Sequence, residues 1–154
     1  MTDRKLHPRI RVLWLFQAVL LAGILSSIAF AATAVLDAPE WIAFAVGGVV
    51  LLLAGTHAFL RYRRWSFEIR EDALYLERGV ITQVRTVVPL VRIQHVDSSR
   101  GPTERIAGLA SCVVYTAGSR GADVRIPGLS PGDADDLRER LKRLAIRAEG
   151  EDAV

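Results

Sequence analysis

The side chains with the most chemistry to offer stand together in mid-chain, where "RIQHVDSSRGPTERIAGLA" runs from Arg92 to Ala110. His95, Asp97 and Ser98 or Ser99 are the residue types of a hydrolytic triad. A triad needs its base, acid and nucleophile to converge, however, and neighbours on one strand project to alternate faces. The chain also contains no G-x-S-x-G nucleophile elbow and no Gly-rich phosphate loop. These absences point away from an enzyme, and no small-molecule substrate suggests itself. Two other roles stay open for the stretch. As a fold determinant, Arg92, Gln94 and Asp97 would pair across strands while Arg100 and Glu104 fix the turn after Gly101. As a surface, Arg92, Gln94, His95, Arg100, Glu104 and Arg105 would bind a partner domain or a lipid headgroup, since arginine makes bidentate contacts with carboxylates and phosphates.

Metal and redox chemistry find little support. Cys112 is the one cysteine, so neither an internal disulfide nor a thiolate metal site can form. Its strand context suggests a small core residue. His7, His57 and His95 are scattered without zinc-type spacing. No metal or cofactor is therefore expected. His57 falls inside an apolar run near its Arg61 end, which fits an interfacial position.

The elements that must position these residues begin with two uncharged stretches. Val12 to Leu36 runs twenty-five residues without a charge, and Trp41 to Leu60 runs twenty more with only His57 ionisable. About 20 helical residues at about 1.5 Å rise cross the roughly 30 Å hydrocarbon core, so each can span a membrane. A cleaved signal peptide would show one shorter apolar core, whereas here "DAPE" leads directly into a second. Arg4, Lys5, Arg9 and Arg11 precede the first span, Arg61, Arg63 and Arg64 follow the second, and the turn between them holds only Asp37 and Glu40. Basic flanks resist translocation, which predicts both termini on the cytoplasmic side of the inner membrane. Ala43, Gly47, Gly48 and Gly55 would let the helices approach closely.

This topology accounts for the basic pI of about 9.5. From Trp65 onward thirteen Arg and Lys face fourteen Asp and Glu. The basicity thus belongs to the flanks, where Arg61, Arg63 and Arg64 would attract anionic headgroups, and no basic patch for nucleic acid appears.

Past the arginines the pattern alternates. "WSFEIR", "ALYLERG" and "VITQVRTVV" each read as a half-buried strand, the last with Val80, Val84 and Val88 inward. "LVRIQHV" continues as a strand, but the spacing of Ile93 and Val96 predicts a bulge at Gln94 and His95. A helical turn is expected through Glu104 and Arg105, then strands "LASCVVYTAG" and "DVRIPG" joined by a turn at "SRGA". A closing helix starts with Ser130 as N-cap and Pro131 at the first position, and Leu137, Leu141 and Leu144 form its apolar stripe. The final residues, 148–154, read as a frayed tail.

The segments "RGVIT", "VPLVRIQHVD", "RGPTERIAGLA" and "TAG", followed by "IPGLSPGDADDLRERL", resemble the bacterial pleckstrin-homology (PH) domain membrane proteins of the YdbS-like type. The resemblance covers about Trp65 to Leu144. It implies a bent seven-stranded antiparallel sheet capped by the C-terminal helix, mostly β with an α+β character, behind a two-helix transmembrane hairpin. It also implies a non-enzymatic scaffold that assembles with itself or with another PH-domain membrane protein. Eukaryotic PH domains that bind phosphoinositides carry clustered bases on the first hairpin, whereas "EIREDALYL" places Glu68, Glu71 and Asp72 against one Arg70. The expected organisation is a basic segment at 1–11, spans at 12–36 and 41–60 around a turn at 37–40, and a basic linker at 61–64. A cytoplasmic domain follows at 65–147. The expected function is a protein–protein interaction module at the membrane; a lipid-headgroup-binding module in envelope defence is the alternative.

Overall fold

The computed structural model describes residues 6–117 and 123–152. The chain divides into two compact units, one of residues 11–63 and one that combines residues 1–10 with 64–154. Arg4, Lys5 and the expected turn at 119–122 lie outside the described residues.

The first unit is a helical hairpin of α1, Arg9–Leu36, and α2, Trp41–Arg63. Only 11% of the most apolar window of either helix is buried, which separates them from the core helices of a water-soluble protein and leaves their apolar surface for lipid. Asp37 takes the left-handed conformation, φ 52°, and lets the Ala38 N–H close back on the Thr33 carbonyl at 3.0 Å. The helices touch where small residues permit it. Ser26 Oγ donates to the Ala43 carbonyl at 2.9 Å, and a Cβ on Gly47 would lie 2.9 Å from that same Oγ. The other expected glycine contacts are looser: Gly48 meets nothing within 4 Å and Gly55 only Leu15, at 4.0 Å. Arg11 stacks over Tyr62 at 4.5 Å and Arg61 over Trp14 at 4.3 Å, joining the two helices at their charged ends.

The second unit is built on two three-stranded antiparallel sheets. β1 (Ser66–Ile69), β2 (Ala73–Arg78) and β3 (Val84–Pro89) form one meander. β4 (Ile93–Ser99), β5 (Ala110–Thr116) and β6 (Val124–Leu129) form the other. A 3-10 turn, Leu90–Arg92, connects them. Alternation puts Phe67, Leu74, Leu76 and Val88 of the first sheet and Ile93, Cys112, Val114 and Ile126 of the second into the core. A five-residue helix α3, Pro102–Ile106, crosses between β4 and β5. The closing helix α4, Pro131–Asp152, packs on β4, β5 and the 3-10 turn. Ser130 Oγ accepts the Asp133 N–H at 3.1 Å, as an N-cap should, and Ala134, Leu137, Leu141 and Ala145 are buried beneath the helix.

Several expectations need correction. The described residues hold six strands in two sheets rather than seven in one. "VITQVRTVV" is not a single strand either. Gly79 turns at φ +110°, where a Cβ would sit 1.9 Å from the Thr82 carbonyl oxygen. That reversal consumes residues 79–83, so β3 starts only at Val84. Val84 shares a face with Val88 but lies beyond the end of the core and is 41% exposed. Leu144 is half-buried, its place on the inner face taken by Ala145. The helix runs through the residues read as a frayed tail as far as Asp152, because Ala148, Glu149 and Glu151 outweigh the single breaker Gly150.

One element has no counterpart in the sequence reading. The residues before the first span belong to the β domain: the His7 N–H donates to the Gly128 carbonyl at 2.7 Å, and Leu6 and Ile10 are each 2% exposed. Gly128 is at φ +66°, and a Cβ there would lie 2.9 Å from Ile10 Cβ. The segments on either side of the hairpin, residues 1–10 and those from 64 onward, thus belong to one folded unit.

Candidate functional site

β4 begins with an irregularity that re-aims its side chains. Its register with β5 shifts between Ile93 and His95, so Gln94 is bulged out, as the Ile93 to Val96 spacing predicts. Beyond the bulge His95 and Asp97, two apart, share a face, and His95 Nε2 sits 2.7 Å from Asp97 Oδ1. The Tyr115 ring of β5 stands 5.7 Å from the imidazole, centroid to centroid.

Ile93 to Asp97 of β4 form one wall of a groove of about 420 Å³, and α4 forms the other. Ile93, Val96, Ala145 and Ile146 supply apolar surface, with Ile146 60% exposed. The polar lining carries both signs: Arg138 and Lys142 stand with Asp97, Glu139 and Glu149. Part of that charge is matched locally, since Arg138 reaches Glu139 at 3.2 Å. The groove can therefore take a chain segment that offers apolar and mixed-charge side chains, and it is poorly suited to a polyanion.

Hydrolysis is not what the His–Asp pair is arranged for. Ser98 follows Asp97 directly and points to the opposite face, while Ser99 lies four strand residues from His95, roughly 13 Å at the strand rise. Neither hydroxyl reaches the imidazole. Among the described residues no group of three His, Cys, Asp or Glu could hold a metal ion.

The six residues expected to form one surface separate. Gln94 and His95 line the groove; Arg92, Arg100, Glu104 and Arg105 do not. Arg92 ends the 3-10 turn with its side chain exposed. Arg100 donates through Nε to the Leu109 carbonyl at 3.2 Å, and Arg105 is exposed on α3. Glu104 is 6% exposed, turned into the fold. Its carboxylate accepts from the Gly101 N–H at 2.8 Å, from Ser111 Oγ at 2.5 Å, and from Arg125 Nη2 at 3.1 and 3.2 Å. Burial alone would raise its pKa, but the hydrogen bonds from Ser111 and Gly101 and the charge of Arg125 hold it below the ordinary carboxylate value. Glu104 is thus the latch of the turn that Gly101 and Pro102 begin. The α4 wall, by contrast, was not foreseen, because the helix pattern reports only which face is apolar.

Near the turn of the first hairpin, Arg70 bonds Glu68 at 2.9 Å and lies over Tyr75 at 4.5 Å. Its pKa is raised, first by the Glu68 hydrogen bond and then by that residue's charge. The basic flank also divides: Arg61 and Arg63 lie over Trp14 and Phe59, while Arg64 Nη1 donates to the Val80 carbonyl at 3.2 Å.

Comparison with known proteins agrees with this architecture. The Bacterial PH domain family profile matches residues 10–145. The chain is 35% identical over 111 residues to the UPF0699 transmembrane protein YdbS of Bacillus subtilis, covering 70% of this chain and 68% of the relative. It is 26% identical over 106 residues to the UPF0699 transmembrane protein YdbT of the same organism, covering 68% of this chain but only 22% of that larger protein. No solved structure matches. With its two membrane-spanning helices ahead of a two-sheet β domain and closing helix, the chain belongs to the Bacterial PH domain family of transmembrane proteins.

Proposed function

We propose that this protein is a non-enzymatic assembly module whose hairpin anchors a PH-like domain at the cytoplasmic face of the cell membrane. Its groove between β4 and α4 receives a segment of a second copy or of another PH-domain membrane protein. The observation that carries this reading is the groove itself, open, apolar in part and lined by both charge signs, while Arg70 near the first hairpin's turn is already paired with Glu68. The cytoplasmic assignment rests on the basic flanks of the two spans and the acidic turn between them. Headgroup recognition by the domain is the weaker alternative, because Arg138 and Lys142 share the groove with three carboxylates. Arg61, Arg63 and Arg64 would add general attraction to anionic lipid, about 1 kcal/mol each.

Two differently tagged full-length copies, co-expressed in native membranes, test the proposal. Ile146→Arg fills the groove from an exposed position without touching the core. The expected result is that wild type captures its second copy or a PH-domain membrane protein and that I146R does not. Equal capture by the folded variant would remove the groove as the interface.

A further inference from the structure

Two apolar side chains of the β domain stand almost fully in solvent: Ile81, in the turn after Gly79, 93% exposed, and Ile106, at the end of α3, 88% exposed. Each lies within two residues of a position that meets an arginine flanking one span. Arg64 donates to the carbonyl of Val80, the residue before Ile81. Arg9 Nη1 lies 3.3 Å from the position a Cβ on Gly108 would take, two residues after Ile106. Arg64 follows the last uncharged residue of its span, Leu60, by four positions, and Arg9 precedes Val12 by three. At helical rise these are about 6 Å and about 4.5 Å from the hydrocarbon edge. The headgroup layer is itself roughly 5–8 Å deep on each side of the core. Val80 and Gly108 thus meet the side chains of arginines whose own backbone lies within a headgroup's depth of the spans by chain continuity. The tight reversal at Gly79 holds the Val80–Ile81 tip outward, and α3 carries Ile106 at its last turn.

We infer that Ile81 and Ile106 are two prongs that insert into the interfacial layer of the bilayer the hairpin spans, fixing the domain against the membrane at two points. This contact goes beyond the assembly reading and does not depend on what the groove binds. A bilayer is the occupant that chain continuity specifies, since both arginines are tied by sequence to membrane-spanning helices.

The test uses full-length protein in phosphatidylcholine–phosphatidylglycerol vesicles, with a nitroxide on Ile81→Cys, Ile106→Cys or, as an aqueous control on the other hairpin, Glu71→Cys. All three positions are exposed, so the fold should tolerate them, and Cys112 is buried and stays unlabelled. Collision rates with oxygen, which concentrates in lipid, and with a water-soluble nickel chelate are compared. The expected ratio of oxygen to nickel collisions is several-fold higher at 81 and 106 than at 71. A ratio equal to the control at either position overturns the two-point contact. Protection from both reagents would mean a protein surface covers the loop and would equally overturn it.

Discussion

Arg125 on β6 donates to both carboxylate oxygens of Glu104 on α3, at 3.1 and 3.2 Å, and so closes the polar turn of the family motif onto the sheet behind it. The guanidinium side of this pair is half open to solvent and the carboxylate side is 8% exposed. The two partners therefore differ in consequence when removed.

Glu104→Ala leaves the buried Ser111 hydroxyl and the Gly101 N–H without their acceptor, and an unsatisfied buried polar group costs about 1–3 kcal/mol each. Arg125→Ala takes the counter-charge from a carboxylate that keeps its Ser111 and Gly101 hydrogen bonds, and should cost less than Glu104→Ala. Thermal melts of the two variants should rank in that order.

The same network predicts acid sensitivity. Glu104 has a folded pKa below its ordinary 4.5, so the folded state binds fewer protons than the unfolded one near that pH. Its contribution is complete above the ordinary value and is lost as pH falls through the depressed folded value. Wild type should lose stability over that window, and Glu104→Gln should lose less. Melting curves at falling pH measure the difference.

His95 should matter little to stability. Its side chain is 65% exposed and its pair with Asp97 is half open to water, so His95→Ala should change stability by less than about 1 kcal/mol. If the groove is the interface, that variant should nonetheless capture less partner. Melting and co-purification of one preparation separate the two effects.

Cys112 is buried in β5, and burial pushes its thiol up to about 12. The thiolate is the nucleophile, so the folded protein should resist thiol reagents at neutral pH and react fully once denatured. Rapid labelling of the native protein would contradict the core packing described.

The N-terminal segment gives a fourth handle on stability. A methyl group on Gly128 would press on Ile10 and impose φ +66° on a residue with a Cβ. Gly128→Ala should cost about 1–3 kcal/mol. The melting midpoint of full-length protein in detergent reads it.

How far the sequence could be read depended on how far apart the partners lie. The bulge at Gln94 was legible because Ile93 and Val96 break alternation within four residues, and the start of α4 because Ser130 and Pro131 are local signals. Glu104 was legible as a turn residue but not as a buried one, since Ser111 and Arg125 reach it from seven and twenty-one positions away. The docking of His7 on Gly128 crosses the whole hairpin, and no periodicity encodes it. The groove combines a bulged strand with the polar shoulder of a helix, and only folding brings those patterns side by side.

If the groove between β4 and α4 holds a protein segment in the membrane, a photo-crosslinking amino acid at Lys142, in full-length protein in native membranes, should capture it. The expected product is an adduct with a second copy or another PH-domain membrane protein, lost on Ile146→Arg. An adduct only with lipid, or one unaffected by that substitution, would contradict it.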